Sequence, residues 1–226
     1  MTLLSSITFP SALELIGNLK AALRVVSQDE TRPHLNALYI VGRSVGLARF
    51  VATDGHRLWL NETRITSTEA IQEGDLLLAR ADVERLIKLV DRKGSAVTFT
   101  QKSGLVDVGQ GGGRVMQIKA VDSTFPTYAH GISGLGAFTG GAAKVRLTAS
   151  YLADAAACFK DLMTGAGLGR AQAGMSIENG PGELDPVAIT CIECPDALYV
   201  TGARRAQGPS ERFGAADLVE RYRRVS

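Results

Sequence analysis

The chain has 226 residues, 45% of them hydrophobic, enough to build a core and to exclude wholesale disorder. Lys and Arg number 25 against 23 Asp and Glu, a net charge of +2, which excludes a histone-like basic chain but not local basic patches. No apolar run approaches the ~18 residues of a membrane span, the first residues show no leader pattern, and three Cys is an odd number that argues against a disulfide framework. A cytoplasmic protein with no membrane partner is expected.

Three stretches repeat one order of elements. The first has a strand at 6–9, a turn at Pro10 and a helix capped by Ser11. Leu13, Ile16, Leu19, Leu23 and Val26 recur at helical spacing there, with Lys20 and Arg24 one turn apart on another face. Strands follow at 36–41, 47–52 and 57–60, and the Asp54-Gly55 pair predicts a type I′ hairpin between the last two. The second stretch has a strand at 76–78 and a helix at 81–91, with Val83, Leu86, Ile87 and Val90 inward and Arg85, Lys88 and Arg92 outward. Its strands lie at 96–100, 105–108 and 114–119, with Gly111-Gly112-Gly113 at a loop tip.

The third stretch opens with a strand at 144–148. A helix at 150–163 buries Leu152, Ala155, Ala156 and Phe159, and strands follow at 174–177, 187–192 and 198–201. The organisation is βαβββ three times over, an α+β fold. The expected limits are 1–130 for the first two units, 131–143 for a Gly-rich linker, 144–205 for the third unit and 206–226 for a basic tail. One helix covers only one face of a unit's sheet, so units must pack in pairs, and the odd third unit predicts self-association as a dimer or tetramer.

Chemistry-bearing motifs are few. Asp54 and His56 read first as turn residues rather than an acid–base pair, and no nucleophile with an adjacent base stands out. Cys191-Ile192-Glu193-Cys194 has CxxC spacing, but a tetrahedral metal needs four ligands, and buried thiols are the simpler reading. No enzyme, cofactor or metal is therefore expected. Arg85, Lys88 and Arg92 share a helix face, which reads either as a solvated face or as one aimed at phosphates.

Two runs favour the phosphate-facing reading through a resemblance. Arg32-Pro33-His34-Leu35-Asn36, followed by Val51-Ala52-Thr53-Asp54-Gly55-His56-Arg57-Leu58, resembles the middle domain of the bacterial DNA polymerase III β subunit, the β sliding clamp. Val121-Asp122-Ser123-Thr124-Phe125-Pro126-Thr127-Tyr128 is similar to the run that closes that domain, and residues 144–201 are similar, less specifically, to the second half of the family's last domain. The resemblance implies a DNA-clamp fold of one full domain plus a half-domain, with helices facing duplex DNA and a groove that docks polymerase and clamp-loader peptides. That groove would use Arg32, Leu35, Thr53, Gly55, His56, Arg57, Leu58 and Val200, with Leu35 and Leu58 as its apolar floor. DNA contacts would fall on Gln28, Arg80 and Lys88, with Lys20, Arg24 and Arg85 added from their charge. Asp154 and Asp161 oppose such a role for the third helix. The implied function is that of a non-enzymatic processivity or replication accessory protein. The alternative is a clamp-fold interaction module that does not encircle DNA, its tail segment 215–219 faintly resembling the acidic-hydrophobic peptides that clamps bind.

Overall fold

The structure, a computed structural model, describes residues 5–43, 46–66, 75–128, 147–169, 174–179 and 186–202. The expected linker over 131–143, the tail with its 215–219 segment, and most of the expected strand at 144–148 lie outside the described residues.

Strand β1 (Ser5–Phe9) runs into α1 (Ala12–Leu23), where Ser11 Oγ accepts the Glu14 N–H at 3.2 Å and so satisfies an otherwise orphan donor. An antiparallel meander follows: β2 (Ala37–Arg43), β3 (Leu47–Thr53) and β4 (Arg57–Arg64). Strand β5 (Asp75–Ala79) passes directly into α2 (Arg80–Leu89), followed by β6 (Val97–Lys102), β7 (Leu105–Gln110) and β8 (Gly113–Lys119). Helix α3 (Ala149–Gly165) precedes β9 (Met175–Asn179), β10 (Pro186–Cys191) and β11 (Cys194–Gly202).

The first two units exchange their leading strands. β1 pairs with β6 and β5 pairs with β2, giving a four-stranded sheet β1-β6-β7-β8 and a sheet that begins β5-β2-β3-β4. The latter continues through β11, β10 and β9 to seven strands, with Trp59 opposite Tyr199 and Leu58 opposite Val200 at the β4–β11 seam. The third unit is thus not left unpaired, as the count of units predicts. Its sheet extends that of the first unit, and α3 lies on α1.

That packing explains why the stripe expected on α1 is incomplete. Leu15, Ile16 and Leu19 are buried, but so are Ala12, Gly17, Asn18, Ala21 and Ala22, whereas Leu13 and Leu23 are only half-buried. The helix is covered by the sheet on one side and α3 on another, so its buried surface is wider than one stripe. The contact with α3 is set by backbone. A Cβ on Gly17 would stand 2.8 Å from the Asp161 carbonyl oxygen and 3.0 Å from Gly165 Cα. The Cys158 thiol donates to the Ala21 carbonyl across the same seam at 3.3 Å. Between α1 and β4, the buried amide of Asn61 donates to Asn18, whose own amide donates to the Glu14 carbonyl at 3.0 Å.

The face of the seven-stranded sheet away from the helices is also covered. Val121 N–H bonds the Leu77 carbonyl at 2.9 Å, and Phe125 stacks on Tyr39 with ring centroids 4.8 Å apart. Phe125 thereby closes a second core of Ala37, Val51, Leu58, Leu60, Leu77 and Val200. Burial on both faces removes the in–out alternation from β3 and β4.

The Gly17 geometry predicts an inversion of the usual helix rule. Gly17→Ala gains about 1 kcal/mol of helix propensity, yet the clash with backbone is expected to leave a net loss of about 1–2 kcal/mol. Urea unfolding measures it, and a variant as stable as the parent would disprove the close crossing.

Candidate functional site

The turn joining β3 and β4 borders an apolar-floored concavity. A type I′ turn needs positive φ at both central residues, but only Gly55 has it, at +92°. The expected type I′ hairpin is therefore corrected: side chains hold this turn. Thr53 Oγ1 accepts the Gly55 N–H at 3.0 Å and donates to the Arg57 carbonyl at 2.7 Å. Asp54 Oδ1 accepts from His56 N–H at 2.9 Å and Arg57 N–H at 3.1 Å. The Asp54 carboxylate is thus taken up by the turn, and His56 is exposed.

Beside this turn lies a groove of about 430 Å³. Leu35, Thr53, Gly55, His56, Arg57, Leu58 and Val200 all line it, residues drawn from three separate regions of sequence. The floor is apolar, with Leu35, Leu58 and Val200 each at most 7% exposed. Arg32 is not among the lining residues; its Nε donates to Asp29 at 2.7 Å on the protein's exterior. The opposite wall is Pro126, Thr127 and Tyr128, which belong to a sequence run already singled out, though not for a groove. Tyr128 is held by Arg49, which donates to its hydroxyl at 3.2 Å and pairs with Glu62 at 2.6 Å. His34, within the run 32–36, also lines the groove, and Pro186 and Thr201 complete it without any signal in the sequence.

Arg57 lines the groove and turns its guanidinium toward the helices. Nε pairs with Asp54 at 2.9 Å, Nη2 donates to the Arg24 carbonyl at 3.1 Å, and Nη1 bonds Asp154 and lies 3.4 Å from the Tyr199 hydroxyl. The group also sits 4.9 Å over the Tyr151 ring. Burial opposes its charge, but the bonds to Tyr199, Asp154 and Asp54 more than offset that and hold its pKa above the ordinary value.

The residues nominated for DNA fall into two groups. Arg24 pairs with Asp161 at 2.7 Å, and Arg80 donates from Nη1 to the Leu23 and Val26 carbonyls, both at 2.9 Å, while pairing with Glu84. Arg80 thus closes the end of α1. Lys20 is half-buried in a small cleft between α1 and α3. In contrast, Gln28, Arg85, Lys88 and Arg92 are exposed, with Arg85 bonded to Asp82 at 3.2 Å. Asp154 and Asp161 are committed to Arg57 and Arg24, so they are ion-pair partners rather than isolated negative charges.

Cys191 and Cys194 are cross-strand partners at the β10–β11 turn. Burial and the bond to Glu193 raise the Cys191 thiol; burial and the adjacent Cys191 push Cys194 up to about 12; burial raises Cys158. Among the described residues no group of three or more His, Cys, Asp or Glu side chains is placed to hold a metal, and no helix is long and apolar enough to cross a membrane.

Antiparallel sheets with exchanged strands, helices on one side and a groove on the other define an α+β clamp-like fold. Residues 13–127, just over half of the chain, match the family model of the DNA polymerase III beta subunit, central domain, and the chain belongs to that family. The same fold occurs in the C. crescentus beta sliding clamp, with a TM-score of 0.67 at 20% identity over 90% of this chain and 66% of that one. It is similar to the Bacillus subtilis DNA polymerase sliding clamp, with a TM-score of 0.66 at 14% identity over 89% and 64%. The Pseudomonas aeruginosa clamp bound to griselimycin gives 0.66 at 16% identity over 88% and 65%. The chain spans less than two thirds of the length of each. No curated protein sequence matches it.

Two outcomes follow from this geometry. Arg57→Ala strands two carboxylates and is expected to cost about 2–3 kcal/mol, with Arg57→Lys recovering less than half because it lacks the planar fork; denaturant titration measures both. Because raised thiol pKa values keep thiolate scarce, the folded protein is expected to react slowly with a thiol-specific disulfide reagent at about pH 8. Reaction should accelerate as pH rises, and all three thiols should react at once after unfolding. Rapid labelling of the folded chain would contradict this.

Proposed function

We propose that this chain is a non-enzymatic DNA replication accessory protein that docks short partner peptides in the groove beside Thr53–Leu58. The observation that carries this reading is the convergence of Leu35, Thr53, Gly55, His56, Arg57, Leu58 and Val200 on one apolar-floored groove. An apolar floor rimmed by hydroxyl, imidazole and backbone groups suits a peptide with one or two hydrophobic anchors and polar flanks. The expected partners are polymerase and clamp-loader segments of that chemistry.

On the helix side the protein associates with duplex DNA as a processivity factor does, through the exposed Arg85, Lys88 and the neighbouring Arg92, with the exposed Gln28 as a further contact. Arg24 and Arg80 serve the fold first. That internal commitment of Arg24 and Arg80 favours a second reading, an interaction module or regulator that keeps the groove and does not encircle DNA.

Fluorescence anisotropy separates the two. A labelled acidic-hydrophobic peptide is expected to bind, and Leu58→Ala to weaken it about tenfold with the fold retained by circular dichroism. Duplex DNA is expected to bind with a log–log salt slope of about −3, one unit for each of the three exposed cations. Peptide binding without any duplex binding selects the interaction module; no peptide binding removes the groove from the account.

A further inference from the structure

Neither the groove nor the basic helix face uses Cys191-Ile192-Glu193-Cys194. Strand β10 ends at Cys191 and β11 begins at Cys194, so Ile192 and Glu193 are the whole turn. The two cysteines close that turn as directly opposed partners. Opposed residues of antiparallel strands stand about 4.5–5.5 Å apart at Cα with their side chains on one face of the sheet. That separation falls inside the roughly 4.4–6.8 Å that a disulfide spans. The two thiols already meet, as hydrogen-bond partners of each other.

The turn is held in place from the chain that enters β9. Gly174 N–H donates to Glu193 Oε2 at 2.9 Å, and the Gly174 carbonyl accepts from Ile192 N–H at 3.0 Å. Glu193 Oε2 also accepts from the Cys191 thiol at 3.2 Å. Access to the two sulfurs is unequal. Cys191 is 2% exposed and Cys194 half-buried, while Ile192 stands 76% exposed at the tip of the turn. Cys158, the third thiol, is fully buried on α3 and bonds the Ala21 carbonyl instead.

We propose that Cys191 and Cys194 form a redox modification site, a dithiol that low-molecular-weight disulfides close to an intrachain disulfide and thiols reopen. Closure is an exchange in two steps. The more accessible Cys194 gives up its proton and attacks one sulfur of the small disulfide, whose S–S bond breaks and whose first half leaves as a thiol. Cys191 then passes its proton to the Glu193 carboxylate and attacks Cys194 Sγ, expelling the second half, which takes up that proton. Two cysteine S–H bonds are replaced by one S–S bond, and the small disulfide is reduced to two thiols, so electrons and protons balance.

The first step is slow, because burial and the neighbouring Glu193 keep thiolate scarce; the second is intramolecular and fast. Such a site registers sustained rather than brief oxidation. Pro186 and Val200 line the groove toward the other end of the same hairpin, so closure stiffens the tip and leaves the groove as it is. The proposal is independent of what the groove binds.

The test uses the full chain with a large excess of oxidised glutathione at about pH 8. The intact mass is expected to fall slowly by about 2 Da, the two hydrogens lost on closure, without a lasting glutathione adduct. The tryptic peptide 171–204, which holds both cysteines of the pair and not Cys158, should carry the whole change, and dithiothreitol should reverse it. Cys191→Ser is expected to leave a stable glutathione adduct on Cys194, and Cys158→Ser to leave closure intact. A parent chain that keeps the adduct, or a pair that stays reduced in the excess oxidant, overturns the proposal. So does a disulfide that recruits Cys158 or joins two chains.

Discussion

The Arg57 guanidinium bonds the β3–β4 turn through Asp54, α3 through Asp154, β11 through Tyr199 and the end of α1 through the Arg24 carbonyl. These parts come from the first and third units, which the Arg24–Asp161 pair and the Cys158–Ala21 bond also join. A planar cation with several fixed donors is suited to this, because it can meet partners in different directions while paying one desolvation cost. The turn that shapes the groove and the helix layer behind it are consequently fastened to one another. Moving α3 relative to the first unit means pulling on the residue that also forms the groove's edge.

A second constraint is the covering of both sheet faces. One side of β2–β4 carries the core against α1, and the other carries Phe125 and its neighbours. The floor residues Leu58 and Val200 are opposite each other on adjacent strands, so the β4–β11 seam and the groove floor are the same place. The concavity exists because the third unit joins at β4. A free β4 edge would leave Leu58 on an open rim with no Val200 beside it.

Much of this was legible in the sequence, for stated reasons. The Ser11 cap, the α2 spacing and the turn around Gly55 are local signals, and the run from Val51 to Leu58 is contiguous, its residues Thr53, Gly55, His56, Arg57 and Leu58 lining one concavity. What escaped was non-local. Gly17, Ala21 and Ala22 form the seam with α3, but small residues do not register as a hydrophobic stripe. Asp154 and Asp161 looked like repulsive charges because nothing local announces their pairing with Arg57 and Arg24. Pro186 and Thr201 line the groove only because β10 and β11 extend a sheet begun far earlier in the chain. The turn type was misjudged for a different reason: hydroxyl and carboxylate bonds from Thr53 and Asp54 replaced the backbone geometry that Asp-Gly usually implies.

The segment from Val121 to Tyr128 supplies one wall of the groove and also the lid of the second core, chiefly through Phe125. Among the described residues it is a strap held by one backbone bond to Leu77, the burial and stacking of Phe125 on Tyr39 and the Arg49–Tyr128 contact. A strap of this kind has its own opening equilibrium, distinct from that of the whole fold. Any peptide docked as proposed would draw on the closed population, so the strap's local stability would be a silent factor in each affinity. On the proposed docking of peptides, substitutions at Tyr39 or Arg49, which do not line the groove, would tune binding for all partners in the same ratio.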